Sequence, residues 1–200
     1  MATAARKSPE QPRSRATVEL IVEGAASILE ERGFEGYNTN AIARRAGVSI
    51  GSVYQYFPDK DAITAAVIRR EATQFLDDAR AARSTTGAHE GLIHLIDAAI
   101  RHRFRRPVLA QLIEVEETRL PLEDGETGVA EGLLDDLRKV MARRGLRPLP
   151  DRDEAARDIA AIIRGMIDDA GRRGEQNVAA LARRVRAAVF GYIDRMGKTI

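Results

Sequence analysis

The chain is predicted to be all-α on three observations. Apolar residues recur at three- and four-residue spacing along most of its length, no useful stretch alternates with period two, and Gly, Pro and Ser-Thr clusters punctuate the periodic segments. At 200 residues it suits one compact domain or a small domain fused to a larger one. Aromatic residues make up only 4% and Trp is absent, so aliphatic side chains must supply most of the packing. Cys is also absent, which excludes a disulfide framework, a Cys-based zinc site and a thiol nucleophile, and fits a reducing compartment.

Residues 1–14, rich in Pro, Ser and charge, read as a disordered arm, either a solvated tail or an arm that adds phosphate contacts. A first helix follows, in which Val18, Ile21, Val22, Ala25, Ile28 and Leu29 form a buried stripe that Gly33 ends. Short helices are predicted at 39–46 and 50–57, then a longer one at 60–83 capped by Asp59. The Ser-Thr-Thr-Gly run at 84–87 breaks the chain. Further helices are expected at 89–104 and at 107–118, the second opening on Pro107, and 121–128 reads as a loop. An amphipathic segment carries Val129, Leu133, Leu134, Leu137, Val140 and Met141 on one side, and two last helices cover 152–171 and 176–196.

The stretch TNAIARRAGVSIGSVYQYF at 39–57 carries the functional signal. Thr39 can cap its first helix, whose inner face is Ile42, Ala43 and Ala46. Gly47 sits where the chain must reverse, a place that often needs positive φ, and Ser49 can cap the second helix. At about 100° per residue from an inward Val53, residues Gly51, Ser52 and Gln55 face outward with Tyr54 and Tyr56 on the flanks. A helix face of small and amide-bearing residues can enter a major groove, where Gln pairs with the N6 and N7 edge of adenine and Ser serves several bases. Flanking tyrosines suit phosphate oxygens, which set register rather than sequence. Gly51 is either a tolerated small residue or a place where backbone comes close to DNA. Arg44 and Arg45 stand in residues 38–57 with no acid, a local positive surface in a chain of net charge only +2.

With the run AGVSIGSVYQYFPDKDAI, this region resembles the DNA-binding part of the TetR family of one-component bacterial regulators, over about residues 16–70. The resemblance implies recognition by the third helix, with Thr39, Ser49, Gly51, Ser52, Tyr54, Gln55, Tyr56 and Lys60 at positions that touch DNA in the family; Ile50 departs from the polar residue often found there. The implied fold is an N-terminal three-helix helix-turn-helix domain (15–60), followed by a larger helical effector-binding and dimerisation domain (61–200), about nine helices in all.

The last two helices are rich in small residues interleaved with Ile159, Ile162, Ile163, Met166, Leu181, Val185, Ala188, Val189 and Tyr192. They read as an intrachain hairpin or, as the resemblance implies, as half of a four-helix homodimer interface. Region 88–145 is expected to hold a sensing cavity for a small-molecule effector. Leu92, Ile96, Phe104, Leu109, Leu112, Ile113, Leu133, Leu137 and Met141 are candidate lining or, equally, core. Arg101, His102, Arg103, Arg105 and Arg106 read as a charged, solvated helix end or an anion site.

The rival classes are a helical-bundle enzyme and an adaptor without DNA binding. Glu90 and His94 are spaced one residue too far for a carboxylate-bridged metal pair, and no phosphate loop or nucleophile elbow is present. The sequence therefore predicts no catalytic or metal site and no cofactor. Its partners are expected to be double-stranded DNA, an effector and a second copy of itself. No apolar run approaches a membrane span and residues 1–16 lack a signal-peptide core, so a cytoplasmic regulator is expected, a repressor released from a palindromic operator by its effector.

Overall fold

A computed structural model describes residues 12–120 and 129–197. The described residues contain nine α-helices and no strand: α1 (Pro12–Gly36), α2 (Thr39–Ala46), α3 (Ile50–Tyr56), α4 (Lys60–Arg80), α5 (Ala88–Arg105), α6 (Pro107–Arg119), α7 (Val129–Met141), α8 (Arg152–Arg172) and α9 (Val178–Met196). A short 3₁₀ segment, Ala81–Ser84, follows α4, tightening the end of the helix predicted to run to 83. The all-α expectation holds, and most helix ends fall within two residues of those expected.

Where the ends differ, local chemistry explains it. Residues 1–11 of the expected arm lie outside the described residues, but 12–14 are already helical, because Pro is well tolerated in a first turn. Helix α1 breaks at Gly33, whose φ of 59° is left-handed, and a last turn carries on to Gly36. The cap of α2 is Asn38, not Thr39: its side-chain oxygen accepts the Ala41 N–H at 2.9 Å. Asn38 holds extended backbone (φ −144°) while Thr39 is already the first helical residue, so only the former can reach forward to the open N–H groups. Replacing Asn38 with Ala is expected to lower stability by about 1 kcal/mol. Thr39→Ala, which leaves the cap intact, should shift the thermal midpoint less; equal shifts would return the cap to Thr39.

By its internal contacts the chain falls into two compact units. Of the described residues, the first takes 12–71 together with 108–120, the second 72–107 together with 129–197. Ile21, Ala25, Leu29, Ile42, Ala43, Ala46, Val53, Phe57, Ile63 and Val67 make the core of the first unit, with Leu109 of α6 buried among them and Leu112 and Ile113 packed alongside. Three residues expected around the effector cavity thus belong to the core of the first unit. Their helix turns its apolar side toward α1–α4, a docking that periodicity cannot reveal.

The second unit packs α5, α7, α8 and α9 around Leu92, Leu95, Ile96, Leu133, Leu137, Met141, Ile159 and Ile163, with Phe104 partly buried against them. Five of the residues expected at a dimer interface, Ile159, Ile163, Leu181, Val185 and Val189, lie in this core and are closed to a partner chain. Ile162, Met166, Ala188 and Tyr192 remain partly exposed. The Tyr192 hydroxyl donates to Asp158 at 2.5 Å, and burial beside that carboxylate pushes its pKa up to about 12, so it remains a donor at neutral pH.

The basic run at the end of α5 also differs from a solvated helix end. Arg105 pairs with Asp78, but Arg103 is buried, lying 3.8 Å from Asp168 and donating to the Pro107 carbonyl at 3.2 Å. Gly171 makes room for it: a Cβ there would stand 2.5 Å from the guanidinium carbon.

Candidate nucleic-acid interface

Helices α2 and α3 meet through a turn at Gly47, which takes φ 68° as the reversal requires. Its N–H and that of Val48 return to carbonyls of α2, closing the helix end. Ser49 then opens α3, its Oγ accepting the Ser52 N–H at 3.0 Å and lying 2.9 Å from the Ser52 hydroxyl. Val53 and Phe57 are buried and fix the helix on its inner side.

Opposite them, Gly51 and Gln55 are exposed, as the projection predicts; Ser52, expected on the same face, is half-buried, and Tyr54 on the flank is exposed. Tyr56 is a correction. Three residues beyond Val53, it points only about 60° away from it and is packed into the core, so it supports α3 rather than flanking its outer face. A Cβ on Gly51 would meet only the Ser49 Oγ, at 3.7 Å, so nothing inside the chain demands a glycine there. Thr39, freed from capping, lies with its hydroxyl 3.2 Å from that of Tyr54, tying the start of α2 to the exposed side of α3.

Arg44 and Arg45 are exposed and, with Ile28, Arg32 and Ala41, line an open cleft of about 210 Å³ between α1 and α2. Arg45 is paired with Glu31, its Nη1 donating at 3.1 Å. On α2, the cleft side (Ala41, Arg44, Arg45) lies roughly half a turn from the side on which Thr39 meets Tyr54. The two arginines therefore do not share one surface with the outer face of α3.

Lys60 is exposed at the start of α4, whose cap is Asp59 as expected, its carboxylate accepting the Ala62 N–H at 2.8 Å. The Lys60 ammonium stands 5.7 Å above the ring of Tyr37, a cation–π distance. Tyr37 was not foreseen. Its burial pushes the hydroxyl pKa up to about 12, against the lowering effect of a Thr64 hydroxyl 3.1 Å away. Nor were Glu116 and Arg119: they pair with each other, Glu116 is buried, and Arg119 also grips Asp61 of α4. The i,i+3 spacing of the first pair is a signal that could have found it; no sequence signal gives the second.

Residues 21–67 match the sequence model of the family described as bacterial regulatory proteins, tetR family. In this region the chain is similar to the tetR family. An HTH-type transcriptional regulator of Staphylococcus aureus (strain USA300) is 25% identical over 116 residues, 58% of this chain and 60% of the relative. The match thus spans less than two thirds of the relative's own length. Among solved structures, a putative tetR-family regulator from Mesorhizobium loti superposes with a TM-score of 0.73 at 22% identity, covering 92% of this chain and 98% of the other. A TetR regulator from Haloarcula marismortui gives 0.74 at 20% identity, covering 91% and 98%. FadR from Bacillus subtilis, solved with stearoyl-CoA, gives 0.69 at 21%, covering 86% and 96%. These likenesses establish the tetR-type fold over nearly the whole chain. The matched family and the Staphylococcus aureus relative are described as transcriptional regulators. No helix among the described residues is long and apolar enough to cross a membrane.

Proposed function

We propose that this chain is a tetR-family, sequence-specific DNA-binding transcriptional regulator that reads the major groove with α3. The observation that carries the reading is the two-sided build of that helix. Val53, Tyr56 and Phe57 anchor it in the core, while Gly51, Tyr54 and Gln55 stand exposed on the other side. In this reading Gln55 and Ser52 meet base edges, and Gly51 lets the backbone come close. Tyr54, Thr39, Ser49 and Lys60 hold phosphates, and Arg44 and Arg45 serve flanking phosphates from the α1–α2 cleft.

The reading extends to a homodimer on a palindromic operator. The partly exposed Ile162, Met166, Ala188 and Tyr192 of α8 and α9 supply its contact face, and a small-molecule effector held in the second unit releases the repressor. Leu92, Ile96, Phe104, Leu133, Leu137 and Met141 are the residues left to line its site. Acyl-CoA is the first effector class to screen, since FadR of the same fold was solved with stearoyl-CoA.

Selection of bound sequences from a random duplex pool at moderate salt tests this. A palindromic consensus is the expected result, and no enrichment by ligand-stripped protein would sink the reading. On the selected site, Gln55→Ala should lose about 1–3 kcal/mol of discrimination at a single base pair. Tyr54→Phe should weaken all sequences alike. A Gln55→Ala protein with the wild-type base preference would remove α3 as the reader.

A further inference from the structure

Arg119 of α6 grips the first turn of α4 at Asp61, the residue that follows Lys60. Arg119 donates to Glu116 through Nε at 3.0 Å and to Asp61 through Nη1 at 3.2 Å, and its Nη2 reaches both, at 2.5 and 2.7 Å. Glu116 is buried, and its charge and that of Asp61 both bear on the buried Tyr37 hydroxyl. Thr64 Oγ1 stands between that hydroxyl and the Lys60 carbonyl, 3.1 and 3.0 Å away. Above the Tyr37 ring sits the Lys60 ammonium.

Lys60 needs such support. It opens α4, where the helix dipole disfavours a cation, and only fixed neighbours keep its ammonium in one place. Asp61 is the acidic group of that first turn, and its orientation is set by Arg119.

We propose that Arg119 is a positioning residue for DNA contact: by bridging Asp61 and buried Glu116 it fixes the first turn of α4 and so holds Lys60 over Tyr37. The proposal rests on the DNA-binding reading above and assigns Arg119 no contact with DNA. Its stabilising effect is moderate: nearly half of the guanidinium side chain is in solvent, but Glu116 is buried and loses its cation when Arg119 is removed. Its effect on affinity is larger, because a misplaced ammonium forfeits a charge-assisted phosphate contact. Hydrogen bonding to Arg119 holds the Asp61 carboxyl below its usual range. The clamp is therefore present above roughly pH 4 and is lost only as the pH falls through that lowered value.

The test measures binding of the full chain to its selected duplex across a salt series, for wild type, Arg119→Gln, Arg119→Lys, Lys60→Gln and Arg119→Gln with Lys60→Gln. Arg119→Gln, whose amide can still donate to buried Glu116, should melt within about 10 °C of wild type and remain folded at the assay temperature. It should bind about tenfold more weakly, the worth of one charge-assisted bond. The slope of log affinity against log salt should fall by about one, as for a lost phosphate contact. A partly unfolded protein would lower affinity without changing that slope. Arg119→Lys should recover only part of the loss, since one ammonium cannot span both carboxylates as the fork does.

Adding Lys60→Gln to Arg119→Gln should cost nothing more, because both remove the same contact. Additive losses would mean that Arg119 touches phosphate itself, and unchanged affinity in Arg119→Gln would mean that it positions nothing; either overturns the proposal. If wild type binds no duplex at all, the DNA reading falls and takes this inference with it.

Discussion

Gly24→Leu is expected to abolish high-affinity DNA binding while leaving the chain largely helical. Gly24 lies in α1 against α2, and a Cβ there would stand 3.2 Å from the Ala46 nitrogen, 3.3 Å from the Ala46 Cβ and 3.4 Å from the Ile42 carbonyl oxygen. Two of those atoms are backbone and cannot rotate away. An added methyl is a near balance, since Ala gains about 1 kcal/mol of helix propensity over Gly and spends it on tight contacts. A leucine forces α2 off α1, with an overpacking cost of roughly 1–3 kcal/mol or more. The Gly47 turn and α3 travel with α2, so the outer face of α3 is misaimed as well. Circular dichroism melts should show a midpoint lower by roughly 4–10 °C. Binding to the selected duplex should fall beyond measurement at moderate salt. A Gly24→Leu protein that melts and binds like wild type would mean that the two helices do not approach as closely as described.

Leu137→Ala addresses the second unit. Leu137 is fully buried at the middle of α7, in the cluster that holds Leu92, Ile96, Leu133 and Ile159. If it is packed on all sides, truncation leaves a cavity and costs roughly 2–5 kcal/mol, or a midpoint shift on the order of 5–15 °C. If it instead forms one wall of an effector site already open beside it, less contact is lost and the shift falls at or under the low end. We expect the larger value, because its neighbours on α5, α7 and α8 are buried as well. A shift under about 3 °C would favour the wall and make Leu137 the residue to vary in effector screens.

Much of the architecture was legible because helical periodicity and end signals are local. Gly47, Ser49 and Asp59 each act on groups within four residues, and their roles follow from sequence. The cap at Asn38 was misread by one position because adjacent Asn and Thr are both good caps, and only backbone angles separate them. Tyr56 was misplaced because 60° from the centre of a buried face is still inside it when α3 sits deep among its neighbours. The larger errors share one cause: periodicity says which side of a helix is apolar, not which body that side meets. Ile159, Ile163 and Val185 face the chain's own core. Leu109 turned out to lie with the helix-turn-helix, far from it in sequence. Gly24, Tyr37, Glu116 and Arg119 owe their roles to contacts across tens of residues, and no local pattern announces them.

That α6 completes the first unit bears on how this chain is re-engineered. A graft that takes residues 1–71 as a portable DNA-reading cassette would leave behind Leu109, Glu116 and Arg119. The transplanted segment would expose the apolar patch that Leu109 covers and strand Asp61 without its arginine. Its binding strength would then depend on whether the new host happens to present a helix of similar make-up. Chimaeras of this protein are better cut so that the loan includes residues 108–120, a break that follows the molecule's own seams instead of the order of its sequence.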